Sequence, residues 1–266
     1  MLAILGAGNI GLAIANGLKE ANTFRAEQII LTRRKMHLLE PFQKEGFLVE
    51  KDARKAVRLA DIVILSVEPG QIDSLLREIR GELKSGKHLL ISVISGVNIG
   101  TLKKQIIKNI PVIRAMPNTA IAIRESMTCL ASEKRDHDSI ETALTIFNTV
   151  GRTLVIDEEA MTAATSLGAC GIAFFLRAIR AASQGGIEIG FHSEDALIIA
   201  AQTAKGAASL LLSQKNHPER EIDKVTTPRG CTISGLNQME HGGFSSAMIK
   251  GIITSAEKAS KLYHRK

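Results

Sequence analysis

Glycines at positions 6, 8 and 11 are the residues best placed for chemistry. They follow the apolar run Leu2-Ala-Ile-Leu5 and lead straight into Leu12-Ala-Ile-Ala-Asn-Gly-Leu18. A strand that ends in G-x-G-x-x-G and opens a helix is built to hold a pyrophosphate. Gly6 permits the tight turn, Gly8 leaves the backbone bare where the anion approaches, and Gly11 lets the helix pack closely on the strand. Asn9 and Ile10 stand at the helix N-terminus, whose free N–H groups and positive dipole end favour an anion. The spacing points to a dinucleotide; the alternative is a glycine turn with a purely structural role.

A second cluster ends the next apolar run, Gln28-Ile-Ile-Leu-Thr32. NAD-binding folds place an acid about 20 residues past the glycines, to bond the ribose 2′-hydroxyl. Here Thr32 is followed by Arg33, Arg34 and Lys35, with no acid. This composition suits a 2′-phosphate, with Thr32 donating a hydrogen bond and Arg33 or Arg34 pairing bidentately. NADPH is therefore favoured over NADH; the plainer alternative is that the three cations begin a solvated helix. Val67-Glu68-Pro69 closes a further buried strand at the edge where such folds bind ligands, so the backbone of Val67 and Pro69 is expected to pass the cofactor, although a simple strand terminator reads equally well.

Other reactive residue types form no constellation. Asp157-Glu158-Glu159 reads as the acidic first turn of a helix and not as a metal site. His192, His217 and His241 read as solvated loop residues. Cys129, Cys170 and Cys231 are widely spaced with no C-x-x-C pair, which fits free thiols in a reducing cytoplasm and argues against a disulfide frame or zinc site.

The elements that must position these residues follow from periodicity. Asp61–Val67, His88–Ile94 and Pro111–Met116 are continuous apolar runs of buried parallel strands. Helical patterns fall between, at 71–83 and 99–108, and 128–131 and 153–156 add edge strands around a helix over 139–150. Alternating strands and helices predict an α/β architecture, a Rossmann-type doubly wound, mainly parallel sheet. Beyond Asp157 the pattern becomes helical throughout. Apolar stripes recur at Met161, Phe175, Leu176 and Ile179, at Leu197, Ile198, Ala201 and Leu211, and at Met248, Ile249, Ile252 and Ile253. These predict a nucleotide-binding domain over 1–155 and an all-α domain over 156–266, whose apolar helices complete their core with a second copy of the chain.

Composition narrows the partners. The formal charge is +7 over 266 residues. The positive residues are scattered, and with one Tyr and no Trp there is little for base stacking, so a nucleic acid is not expected and an anionic small molecule is. No apolar run is read as reaching the roughly 18 residues of a membrane span, and the N-terminus carries no basic leader. A cytoplasmic enzyme without membrane association is the expectation.

Three stretches are more specific. They are Arg114-Ala-Met116-Pro117-Asn118-Thr119, then Val225-Thr-Thr-Pro228-Arg229-Gly230-Cys231-Thr232-Ile-Ser-Gly-Leu236, then Met239-Glu-His-Gly-Gly-Phe-Ser-Ser246. In this order after the glycine turn, they resemble the Δ1-pyrroline-5-carboxylate reductases over almost the whole chain. The resemblance implies a Rossmann domain followed by a helical dimerisation domain, assembled as dimers or as decamers of dimers. It implies hydride transfer from NAD(P)H to the C=N carbon of pyrroline-5-carboxylate, giving L-proline. Carried over, the main-chain N–H groups of Gly230, Cys231 and Thr232 would receive the substrate carboxylate, and the Thr232 hydroxyl would sit near the imine nitrogen; a helix-capping Thr is the structural alternative. Met116, Pro117 and Asn118 would lie beside the nicotinamide, with Asn118 bonding the cofactor or a neighbouring loop.

Four positions depart from the family pattern. Glu68 replaces a Lys. Gly168-Ala-Cys-Gly-Ile-Ala-Phe174 lacks a helix-kinking Pro and its neighbouring hydroxyls. Ala120 replaces a Pro. Arg229 replaces a Gly and is strained if that position needs a positive φ. These departures keep two alternatives open: a reductase of another cyclic imine or keto acid, and a non-catalytic NADP-binding sensor. β-Hydroxyacid dehydrogenases need a Lys on the long interdomain helix, and 163–180 contains none.

Overall fold

The central strands form because their residues have nowhere polar to go. In the computed structural model, which describes residues 1–262 (for Arg135 and His137 the backbone only), eight strands make one sheet. They are β1 (Leu2–Leu5), β2 (Ile29–Thr32), β3 (Leu48–Glu50), β4 (Ile62–Leu65), β5 (Leu89–Ser92), β6 (Val112–Met116), β7 (Ser126–Ser132) and β8 (Gly151–Val155). The order is β3-β2-β1-β4-β5-β6-β7-β8. All pairs are parallel except β6 with β7. The strand order reverses direction between β1 and β4, and such a switch point opens a crevice at the carboxyl ends of the strands.

Successive side chains of β1 point to opposite faces of the sheet. Leu2 and Ile4 join a core with Leu18 and Phe147, whereas Ala3 and Leu5 join another with Leu65, Ile72 and Leu102. Helices α1 (Asn9–Glu20), α2 (Glu40–Lys44), α3 (Ala53–Leu59), α4 (Ile72–Ile79), α5 (Ile99–Ile106) and α6 (His137–Asn148) connect the strands. Helix α1 also packs on the 3-10 turn Thr119–Ile123 through Gly17, where an added Cβ would lie 2.3 Å from the Ile121 carbonyl oxygen.

Helices α7 (Met161–Ala164), α8 (Gly171–Glu188), α9 (Ser193–Gln214), α10 (Pro218–Lys224), α11 (Cys231–His241) and α12 (Phe244–Ala259) complete the chain. Two compact units result, residues 1–170 with 255–262, and residues 171–254. Within the second, α8 and α9 form a hairpin that turns at Gly190, with Gly186 seated against Ala196.

The structure corrects several expectations. Strand β3 is three residues long, too short for an apolar period to mark it, and is defined by its pairing with β2. The helix expected over 71–83 ends at Ile79. The helix that begins at Met161 is interrupted by a π-helical turn at Thr165–Cys170, in the segment that lacks the family's Pro. The wide turn, and not a proline, breaks the α-helical ladder there. Two helical stretches, Glu158–Glu188 and Ser193–Gln214, are after all long and apolar enough by length and composition to cross a membrane.

Candidate active site

The glycine turn is built as its spacing predicts. Gly6 has φ +96°, and a Cβ there would meet Val67 Cγ1 at 2.6 Å and the Ser66 carbonyl oxygen at 2.7 Å. Its N–H donates to the Thr32 carbonyl oxygen at 3.2 Å, which ties β1 to the end of β2. Gly11 is closely packed, with Gly6 O at 3.0 Å and Ile4 Cγ2 at 3.1 Å from the missing Cβ, so a side chain there would push its neighbours aside. Gly8 differs: a Cβ there would meet only Gly6 O at 4.0 Å. Its bare backbone faces open space, as a cradle for an anion requires.

That space is a cleft of about 730 Å³ at the carboxyl ends of β1, β2, β3 and β4. Gly6, Gly8, Thr32, Arg33, Arg34 and Val67 line it, as expected, together with Lys35 and Glu68. Asn9, Ile10, Gly11, Pro69, Met116 and Pro117 do not. Gly11 acts through packing, and Met116 belongs to a separate buried cluster with Cys129, Ala131 and Met161. The Ser66 Oγ on the cleft wall is buried and lacks a hydrogen-bond partner. Among the described residues, Arg33, Arg34 and Lys35 form no ion pair. A bare glycine and three cations without ion pairs in one cleft fit a nucleotide carrying several phosphates. Glu68 is exposed on the opposite wall and accepts a hydrogen bond from Gln71 Nε2 at 3.3 Å.

Asn118 Oδ1 accepts from the Ala120 N–H at 3.1 Å, and its Nδ2 donates to the Gly168 carbonyl oxygen at 3.2 Å. It ties the Met-Pro-Asn loop to the π-helical turn, the bond to a neighbouring segment that was one of its two expected roles. Four residues earlier, on β6, Arg114 is 5% exposed and pairs with Glu158 at 3.3 Å. Burial pulls its guanidinium below the ordinary arginine value, against the opposing pull of Glu158. Glu158 also accepts the Ile99 N–H at 2.7 Å, so it caps α5 and does not merely favour the dipole of its own helix.

In the second unit, Gly230 precedes α11 as its cap and Thr232 lies within the first turn, so Thr232 is not the helix cap. The Gly230 N–H donates to the Thr227 carbonyl oxygen at 2.9 Å and is not free for a ligand, a correction to its expected role. The N–H groups of Cys231 and Thr232 open the helix without intrahelical partners. A Cβ on Gly230 would lie 2.5 Å from Thr227 Oγ1, so this glycine is sterically required. Arg229 has φ +59° and does occupy the left-handed region that favours glycine. His192 and His217 are exposed just ahead of α9 and α10, and His241 is exposed at the end of α11.

Residues 158–262 match the family described as pyrroline-5-carboxylate reductase dimerisation, and residues 1–96 match the family described as NADP oxidoreductase, coenzyme F420-dependent. Pyrroline-5-carboxylate reductase 2 of Dictyostelium discoideum is 46% identical over 98% of this chain and 92% of its own length. The chain belongs to the pyrroline-5-carboxylate reductase family. Pyrroline-5-carboxylate reductase 1 of the same organism is 53% identical over 100% of this chain, which spans 50% of that relative's length. The pyrroline carboxylate reductase of Plasmodium falciparum, solved with NADP bound, superposes with a TM-score of 0.88 at 25% identity, covering 98% of this chain and 97% of that one. Within this family frame, the cleft residues that sequence reasoning missed are Lys51, Ala53, Ser66, Gln71, Ser74, Leu75 and Glu78. Only Lys51 among them carries a positive charge, and no local motif marks it.

Proposed function

We propose that this chain reduces Δ1-pyrroline-5-carboxylate to L-proline, with NADPH preferred over NADH. The observation that carries the reading is the cationic, glycine-floored cleft at the carboxyl edge of the sheet, in a chain whose full-length relatives bear that reductase name. When bound, the reduced nicotinamide supplies a hydride to the C=N carbon. A cyclic imine is readily protonated, so the protein need supply no strong acid; it must orient two reactants and hold a carboxylate.

The chain's own residues divide that work. Gly8 and the α1 N-terminus hold the pyrophosphate, and Thr32 with Arg33 and Arg34 hold the 2′-phosphate. The N–H groups of Cys231 and Thr232 receive the substrate carboxylate, and the Thr232 hydroxyl steers the proton on the imine nitrogen. Asn118, Met116 and Pro117 shape the loop beside the nicotinamide. The functional boundary lies near residue 155, with a nucleotide-binding domain before it and a substrate and dimerisation domain after it. The exposed apolar faces of α8, α9 and α12, including a groove of about 290 Å³ lined by Phe174, Ala178, Phe244 and Met248, are covered by a second copy, as a dimer or a decamer of dimers. The three free cysteines suit the cytoplasm.

The test is the initial rate of NADPH oxidation with pyrroline-5-carboxylate, run beside NADH. Saturable turnover that falls about 100-fold in Thr232→Ala supports the reading. NADPH binding without turnover on this substrate sinks it.

A further inference from the structure

We infer that Lys51 is a cofactor-specificity residue that, together with Arg33, takes the 2′-phosphate of NADPH. The inference rests on the proposed NADPH-dependent reading of the cleft and adds a residue from a strand that reading does not use.

Register places the two side chains together. Strands β2 and β3 run parallel with Thr32 opposite Glu50. One residue further, Arg33 and Lys51 leave the carboxyl edge of the sheet side by side, on strands about 4.8 Å apart. Both line the cleft. Arg33 is half-buried and Lys51 is exposed, so a planar fork and a compact point charge on a flexible stem share the cleft.

Lys51 keeps its charge available although acids flank it in sequence. Glu50 turns its carboxylate to the Asp52 N–H at 3.0 Å. Asp52 in turn caps α3, accepting the Arg54 N–H at 2.9 Å and Arg54 Nε at 3.3 Å. Arg54 thereby holds the Asp52 carboxyl below its usual range, as an anion already engaged. Among the described residues Lys51 forms no ion pair. The two carboxylates that line the cleft, Glu68 and Glu78, come from the β4–α4 side, so the cleft is polarised, with its cations on the β2–β3 wall. A phosphate monoester carries about −1.5 to −2 charges near neutral pH, and Lys51 adds to Arg33 and Arg34 a cation that reaches the same cleft from a neighbouring strand.

The experiment measures dissociation constants for NADPH, NADH and 2′,5′-ADP without substrate, by calorimetry, on the full chain and on Lys51→Ala, Lys51→Glu and Lys51→Arg. Lys51→Ala is expected to weaken NADPH and 2′,5′-ADP about tenfold, and Lys51→Glu about 100-fold. NADH affinity stays within about twofold, and Lys51→Arg retains most NADPH affinity. The dependence of NADPH affinity on salt becomes shallower in Lys51→Ala. Equal losses for NADPH and NADH, or no loss for either, overturn the inference while leaving the NADPH reading intact. Equal affinity of the unmodified chain for the two cofactors, or binding of neither, overturns both.

Discussion

The two units treat their apolar residues in opposite ways. In the first, Leu2, Ile4, Leu5, Ile64 and Leu65 are fully buried, and helices cover both faces of the sheet. In the second, Phe175 is 60% exposed and Ile198 is 67% exposed, on the long helices α8 and α9. One unit completes its core within a single chain, and the other displays a face that water disfavours. Hydrophobic periodicity therefore reports that a surface is buried without reporting by which chain.

The sharpest way to break that contrast is to charge both surfaces. Ile198→Glu and Phe175→Glu are expected to abolish assembly, seen by light scattering as a fall to monomer mass or as aggregation. Leu59→Glu, at 56% exposure on α3 of the first unit, should leave the mass unchanged. Identical behaviour of the three variants would erase the distinction.

Inside the first unit, Gly17→Ala should cost about 3 kcal/mol, because the new methyl group collides with the Ile121 carbonyl and the packed helix has little room to retreat. Urea titration measures it, and a loss below about 1 kcal/mol would mean that the junction between α1 and the Met-Pro-Asn loop is looser than its geometry.

His88 supplies a pH handle confined to the sheet unit. Its ring is buried, with Nδ1 accepting the Lys84 N–H at 2.8 Å and Nε2 3.1 Å from the Val57 carbonyl oxygen. Burial pushes its pKa below the ordinary histidine value. The unfolded chain thus binds the proton more readily. The stabilising contribution is complete above about pH 6.5 and is lost as pH falls through the lowered folded-state value. Urea midpoints should drop with acidification in the unmodified chain and drop less in His88→Gln.

The smallest effect belongs to the second unit. Arg229→Gly should relieve left-handed strain and raise stability by about 1 kcal/mol or less, since glycine also frees the unfolded chain. A decrease in the urea midpoint would show that the Arg229 side chain contributes more than its backbone conformation costs.

Much of this architecture was readable from local pattern. Gly6 makes its turn at positive φ, Gly11 packs closely on the strand, Gly8 faces open space, and the strand runs at 62–65, 89–92 and 112–116 fall where continuous apolar residues placed them. What escaped depends on partners distant in sequence. Strand β3 is three residues long and is defined by its register with β2. Lys51 enters the cleft only because that register sets it beside Arg33, and its flanking acids disguise its charge in the sequence. The engagement of Asn118 depends on a π-helical turn 50 residues away, whereas the pairing of the Gly230 N–H is a local turn back to Thr227 that no motif marks. Residue types marked these positions, and the hydrogen-bond partners of each emerge only in the folded chain.

Glu158 stands first in the stretch that matches the dimerisation family, yet its carboxylate serves the sheet, capping α5 and balancing Arg114. A seam drawn by sequence similarity thus runs through a buried ion pair. A chimera that grafts a foreign helical half at this residue would strand a guanidinium whose Nε already lacks a partner, and removing one member of such a pair costs far more than replacing both. A graft at that seam keeps the pair only when the incoming half brings its own carboxylate to Arg114.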